Sequence, residues 1–316
     1  MTTKKVVTVT LNPALDLTGS LDSLNQGSVS LVKSGTLHAA GKGVNVAKVL
    51  SELGAEVTVT GFLGQENPEL FSQLFKDLDA HDAFVHVEGA TRINVKVVES
   101  NGKVSDINFP GVQVTQSDID QFEETLFGLA KYNDYFVIAG SLPQGVSPEL
   151  CASWIKKLRA LDKKVLFDSS RAALSAGLEA QPWLIKPNDE ELAEFVGRPL
   201  NNANECQQAA HELTNRSIEN IVISMGAQGV MWLNQGHWLS AKPPTMKVVS
   251  TVGAGDTLVA GLCWGHMQGM DKETLLRFST ALSALAVSQI GVGVPSQALL
   301  EQTISQVKVQ PTIMSK

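Results

Sequence analysis

Positive charge is in short supply in this chain: 25 Lys and Arg stand against 32 Asp and Glu, for a formal net charge of −7. That balance provides no basic stripe for nucleic acid, so an anionic small ligand must be held by a few local cations against an unfavourable overall field. Cysteine is scarce as well. Cys151, Cys206 and Cys263 are far apart, odd in number and without metal-ligand spacing. They do not read as a disulfide framework and fit buried thiols in a reducing compartment. The six His form no H-E-x-x-H pair or comparable cluster. No apolar run reaches membrane-spanning length, and Asn12, Pro13 and Asp16 interrupt the first segment before a signal-peptide core can form. The expectation is a cytoplasmic protein without nucleic-acid or membrane partners.

Two common nucleotide signatures are also missing. Gly41-Lys42-Gly43 lacks the upstream glycine spacing and the following hydroxyl of a P-loop. Gly253-x-Gly255 continues into Asp256, Thr257 and Leu258, which is not the G-x-G-x-x-G of a dinucleotide-binding turn. Low-complexity segments and internal repeats are absent.

With 316 residues, 43% of them hydrophobic, the chain can bury a substantial α/β core. Short β-rich runs at Val6 to Leu11, Glu56 to Phe62, Tyr135 to Ala139, Val165 to Phe167, Trp183 to Lys186 and Ile221 to Ser224 mostly precede helical stretches. That rhythm predicts a mainly parallel central sheet with helices on both faces. A helix from Val44 places Val46, Val49, Leu50 and Leu53 on one face and stops at Gly54. Two stretches break the rhythm: residues 17–39, alternating around Ser28 to Leu37, and residues 92–109, two strands joined at Asn101-Gly102. One domain over residues 1–316 is expected, with a small β lid built from these two stretches.

Against those absences stand two glycine turns. Ser250-Thr251-Val252-Gly253-Ala254-Gly255-Asp256 runs straight into an apolar helix. Open amides at a helix start favour an anion, and a carboxylate held there can accept a proton from an attacking hydroxyl, which suits phosphoryl transfer. An ordinary Asp is already ionised at neutral pH, so the role requires no unusual pKa. The same residues also read as a plain glycine turn with Asp256 as N-cap. The second turn is Ala40-Gly41-Lys42-Gly43-Val44-Asn45. Gly41 permits close approach of a ligand, Lys42 supplies a point charge, and Asn45 can donate to or accept from hydroxyls, although a plain loop with a solvated lysine fits equally.

Together with Gly140-Ser141-Leu142-Pro143 and Lys186-Pro187-Asn188-x-x-Glu191, these two turns resemble, in order and spacing, the ribokinase-type or phosphofructokinase B carbohydrate kinase family. The resemblance extends over nearly the whole chain and implies a ribokinase-like fold, ATP and Mg²⁺. Leu11-Asn12-Pro13-Ala14-x-Asp16, Thr91-Arg92-Ile93-Asn94-Val95-Lys96 and Phe167-Asp168-Ser169-Ser170 look most like the branch that phosphorylates fructose 1-phosphate at its 6-hydroxyl. Ser250-Thr251, where the ribokinase branch usually carries Asp-Thr, also resembles the phosphosugar branch. Close rivals act on fructose 6-phosphate or tagatose 6-phosphate. A silent sugar-phosphate sensor is the non-enzyme alternative.

By that resemblance Asp256 is the base, and Gly253, Ala254 and Gly255 provide the anion hole. Asp16, Gly41 and Asn45 meet the sugar, and Lys42 and Arg92, with Ser141 nearby, hold its existing phosphate. Lys186, Asn188, Ser224, Gly226, Gly229, Thr251, Gly253, Gly255 and Ser283 contact ATP. Asn188 and Glu191 organise Mg²⁺, partly through water. A homodimer through the β lid is the implied assembly. Asp16 as turn chemistry, Arg92 as a surface cation, Glu191 as a first-turn carboxylate and Ser283 as a core serine remain open alternatives.

Overall fold

A computed structural model describes residues 4–213, 216–289 and 291–312. The chain starts with β1 (Lys5–Thr10), β2 (Ala14–Leu21), β3 (Ser34–Ala40) and α1 (Lys42–Glu52). Next come β4 (Glu56–Gly64), α2 (Glu69–Asp77), β5 (His81–Asp82), β6 (Val85–Val87) and the hairpin β7 (Ile93–Glu99) and β8 (Val104–Ile107). Helices and strands then alternate through α3 (Gln116–Leu129), β9 (Tyr135–Ala139), α4 (Pro148–Ala160), β10 (Lys164–Asp168), α5 (Arg171–Glu179) and β11 (Leu184–Ile185). They are followed by α6 (Asp189–Val196), α7 (Ala203–Glu212), β12 (Asn220–Ser224), β13 (Val230–Asn234) and β14 (His237–Lys242). Last are α8 (Ala254–Gln268), α9 (Lys272–Ala286), α10 (Gln297–Gln306) and β15 (Lys308–Thr312).

The large sheet runs β15-β14-β13-β12-β11-β10-β9-β1-β4-β5, with β6 also on β4. Strands from β12 to β5 pair in parallel, and β13, β14 and β15 add an antiparallel end. Strand residues alternate between two cores. Val7, Val9, Phe136, Ile138, Val165, Phe167, Ile221 and Ile223 pack with α3, α4, α5, α6 and α7, for example against Phe122, Trp154 and Leu174. Val6, Val137, Leu166, Leu184 and Val222 pack with α1, α2, α8, α9 and α10. A period of two with both faces apolar makes these strands near-continuous hydrophobic runs and puts a helical layer on each side. The α/β class expected from the sequence, with a mainly parallel sheet between helices, is the fold observed. The antiparallel end was not anticipated; its one local signal is the turn at Asn234-Gln235-Gly236 between β13 and β14.

A second, four-stranded sheet runs β3-β2-β7-β8. It begins earlier than expected, at Ala14, and residues 22–33 form no strand. The alternation near Val29 and Leu31 does not signal a buried strand face, because those side chains are 91% and 84% exposed. In this sheet the register sets Asp16 beside Asn94, and Lys96 beside Thr18 and Asp106. The intervening residues Leu17, Leu37, Ile93 and Ile107 are apolar and partly exposed. One face of the sheet is therefore polar and the other apolar.

Candidate active site

Parallel strands carry ligands beyond their carboxyl ends. There, β1, β9, β10, β11 and β12 open onto a cleft of about 1420 Å³. All residues singled out from the sequence line it: Asp16, Gly41, Lys42, Asn45, Arg92, Ser141, Lys186, Asn188, Glu191, Ser224, Gly226, Gly229, Thr251, Gly253, Ala254, Gly255, Asp256 and Ser283. The volume exceeds that of a typical single-ligand pocket and has room for two.

The helix α8 is apolar on nearly every side and buried between the sheet and its neighbours α1 and α9. Its first intrahelical bond runs from the Thr257 N–H to the Gly253 carbonyl at 2.8 Å, and the Ala254 N–H reaches the Thr251 carbonyl at 3.4 Å, so the amides of Gly255 and Asp256 are the ones left open at the cleft. Gly253, the N-cap, has φ 83°, and a β-carbon there would stand 2.3 Å from Val292 Cγ2. Conformation and space both require glycine. Ser283 donates to the Ala254 carbonyl at 2.8 Å and so braces this turn from α9.

Asp256, only 6% exposed, accepts a hydrogen bond from Asn45 Nδ2 at 2.7 Å on Oδ2. The partner is aligned by the second glycine turn. A β-carbon on Gly43 would lie 2.3 Å from Thr10 Oγ1 and 2.8 Å from the Val9 carbonyl, so glycine lets α1 start directly against β1. The helix begins at Lys42, two residues earlier than its apolar period suggests. The Asp256 carboxyl is raised from 3.8 to a net value of about 6, chiefly by burial. Within that net value the Asp168 charge also works upward, while the Asn45 hydrogen bond and the charges of Lys42 and Lys186 pull the other way. The role requires no unusual pKa, and at about 6 the carboxyl is still mostly ionised at neutral pH.

Asp168, at the end of β10, is 2% exposed and binds two of the cleft lysines. Its Oδ1 lies 3.3 Å from Lys42 Nζ and 3.5 Å from Lys186 Nζ. For Lys42, burial works to lower the ammonium pKa, but the attraction of Asp168, Glu191 and Asp256 prevails and the net direction is up. In the sequence Asp168 stands only as part of a motif, Phe167-Asp168-Ser169-Ser170, with no role attached. The available signal was an acidic residue directly after a buried strand, a position facing the cleft. Asn12 was overlooked in the same way. Its Nδ2 donates to the carbonyls of Pro110 and Leu142 and to Ser141 Oγ, each at 3.2 Å.

Arg92 enters the cleft from the start of β7. Its guanidinium donates to the carbonyls of Asn12 at 2.8 Å, Phe109 at 2.9 Å and Pro13 at 3.3 Å, and to Ser141 Oγ at 3.3 Å. Most of its fork is thus engaged with the protein itself. Asp16 accepts from Asn94 Nδ2 at 3.3 Å on the polar face of the small sheet.

Toward the other end of the cleft, Asn188 and Glu191 form a reciprocal capping box at the start of α6. Glu191 N–H donates to Asn188 Oδ1 at 2.6 Å, and Asn188 N–H to Glu191 Oε2 at 3.0 Å. Glu191 Oε1 is 3.9 Å from Lys42 Nζ. Among the described residues no group of three His, Cys, Asp or Glu stands ready to enclose a metal. The buried Asp168 Oδ2, however, has no hydrogen-bond partner among the described residues. One orphaned carboxylate oxygen and a neighbouring Glu fit a magnesium ion that keeps most of its ligands as water and phosphate.

Comparison with known proteins agrees with this geometry. The family model described as "pfkB family carbohydrate kinase" matches residues 4–299. A 1-phosphofructokinase of Vibrio cholerae is 69% identical over 97% of each chain, and one of Escherichia coli K12 is 48% identical over 98% of this chain and 99% of its own. Among solved structures, phosphofructokinase-2 from Escherichia coli in complex with potassium superposes with a TM-score of 0.88 at 28% identity, covering 96% of this chain and 99% of that one. The same enzyme in complex with fructose-6-phosphate gives 0.85 at 25%, with the same coverage. A glycine turn opening the buried α8, a carboxylate beside it and one large cleft at the strand ends thus coincide with a family match over nearly the full length: the chain belongs to the pfkB family of carbohydrate kinases.

Proposed function

We propose that this kinase transfers the γ-phosphoryl group of ATP to the 6-hydroxyl of fructose 1-phosphate, giving fructose 1,6-bisphosphate and ADP. The observation that carries the chemistry is Asp256, buried and oriented by Asn45 beside the open amides of α8. As the sugar oxygen bonds to the γ-phosphorus, its proton passes to the Asp256 carboxylate. The bond from that phosphorus to the bridging oxygen breaks, and its electron pair leaves with ADP. The anion hole of Gly253, Ala254 and Gly255, joined by the open Asp256 amide, stabilises the charge on the group in flight. Asp16 and Asn45 orient the sugar, while Lys42, Arg92 and Ser141 hold its phosphate. Lys186, Asn188, Ser224, Gly226, Gly229, Thr251 and Ser283 form the ATP side. Asn188 and Glu191, with Asp168 close by, would hold magnesium partly through water, and the ion would supply positive charge to offset that of the ATP phosphates.

The choice of sugar rests on relatives. The 69% and 48% identical proteins are both named 1-phosphofructokinase, whereas the phosphofructokinase-2 complex with fructose-6-phosphate is only 25% identical. ADP release with Mg²⁺-ATP, compared among fructose 1-phosphate, fructose 6-phosphate, tagatose 6-phosphate and fructose, tests it. Equal or better use of a 6-phosphate rejects the assignment, and no turnover with any of them favours the sensor.

An essential base at about 6 predicts a pH profile. Asp256 must be ionised to work, so log kcat/KM falls with unit slope below about pH 6, where an unshifted Asp would hold to about pH 4. In Asp168→Asn, a neighbouring negative charge is gone, and the residual activity should keep its acid limb at lower pH. A limb that stays in place contradicts the coupling.

In this reading residues 4–312 act as one kinase domain. The four-stranded sheet closes its polar face over the sugar and excludes water that would otherwise take the γ-phosphoryl group. Its apolar face, with Leu17, Leu37, Ile93 and Ile107, pairs with the same face of a second copy, because an uncovered apolar patch favours association. Light scattering should give a dimer mass for the wild type and a monomer mass for Leu17→Asp/Leu37→Asp. A monomeric wild type rejects this assembly.

A further inference from the structure

Arg171, the first residue of α5, has φ 55°, in the left-handed region that favours glycine. Five other described residues that are not glycine share that region: Asp79, Asp162, Gln181, Ser217 and Gln235. Asp79, Asp162 and Gln181 directly follow the C-caps of α2, α4 and α5, where a left-handed residue ends a helix. Ser217 and Gln235 lie in turns beside β12 and β13. Arg171 opens a helix instead, and of the six it is the one that lines the cleft. Glycine would avoid the backbone penalty, so the side chain is what accounts for arginine at this position.

Five Lys or Arg line the cleft among the described residues: Lys42, Arg92, Arg171, Lys186 and Lys242. Lys42 and Lys186 are both paired with Asp168, and Arg92 is engaged by carbonyls. The Arg171 side chain is exposed and makes no ion pair or hydrogen bond among the described residues. Lys242, on β14, stands at the far end of the sheet from the sugar-side strands. Arg171 instead follows β10, which lies between β9, leading to Ser141, and β11 and β12, leading to Lys186, Asn188 and Ser224. The helix α5 belongs to the layer opposite α8. Arg171 therefore stands at the junction of the two halves of the cleft, across the sheet from the Gly253 turn.

We infer that Arg171 is a catalytic residue that binds the γ-phosphoryl group while it passes from ATP to the sugar, opposite the open amides of the Gly253 turn; this rests on the kinase reading above. It forms no covalent bond: the electron pair leaves with ADP and the proton goes to Asp256, as already described, while the guanidinium offsets charge on the transferred oxygens.

Arg171→Gly is the deciding variant, because glycine suits the backbone and removes only the cation. It should melt at or above the wild-type temperature, lose roughly 100-fold in kcat as expected for one lost transition-state donor, and change KM little. Arg171→Lys should fall between. Both variants are assayed with whichever sugar phosphate the wild type turns over best, so a wrong sugar assignment shows in the wild type and leaves this test standing. Wild-type kcat in Arg171→Gly overturns the proposal, as does a rise in KM with kcat unchanged or a loss of activity matched by loss of folding.

Discussion

Asp256→Asn lowers kcat by roughly 10²- to 10⁴-fold, the usual contribution of a general base, and at neutral pH makes the protein more stable. Both effects come from one burial. Asn preserves the shape and can still accept from Asn45, so binding of sugar and ATP survives while the proton acceptor is lost. Moving the carboxyl from 3.8 to about 6 means that its ionised form costs about 3 kcal/mol more in the folded than in the unfolded chain. The sign follows from the raised folded-state pKa. Below about pH 4 the carboxyl is protonated in both states and the penalty is absent; it grows through the interval up to about 6 and is complete above it. The stability advantage of Asn over Asp should therefore increase between pH 4 and 6 and then level off. Denaturant titrations of the two proteins at several pH values check it. A variant less stable than wild type at pH 7 contradicts the picture of a carboxylate held at a cost for function.

Gly253→Ala carries the second large effect. Its φ of 83° costs an L-residue about 1–2 kcal/mol, and a β-carbon 2.3 Å from Val292 Cγ2 adds about 1–3 kcal/mol of overpacking. The start of α8 must shift to relieve the overlap, carrying the open amides and Asp256 with it. A loss of roughly 10²-fold or more in kcat is expected, comparable to losing one anion-hole donor. Adding Val292→Ala removes the steric part alone and should restore some stability without restoring full activity. Unfolding curves and kcat for the single and double variants separate the two. If Gly253→Ala is as stable and active as wild type, the turn does not have the function assigned to it.

The glycine motifs made much of the site legible, because a residue type forced by backbone geometry leaves its mark in the local sequence. Gly43 and Gly253 are such cases, each set by a close approach that any side chain would block. The alternating cores of the large sheet were legible for a similar reason, since buried strands are apolar throughout. What escaped notice depends on distant segments meeting. Asp168 draws its partners from residues 42 and 186, and Asn12 draws its from residues 110, 141 and 142. The raised Asp256 carboxyl arises where α1, α8 and the sheet enclose it, and Asp256 looks in sequence like any helix N-terminal acid. Residues 22–33 misled in the other direction, because alternation predicts a strand only where one face has something to pack against.

The most direct test is to incubate purified protein with Mg²⁺-ATP and fructose 1-phosphate and follow phosphorus NMR. The expected result is a second phosphoester at carbon 6, appearing in step with ADP and slowed roughly 10²- to 10⁴-fold with Asp256→Asn. ADP formed with inorganic phosphate instead, or no new phosphoester at all, would contradict the account.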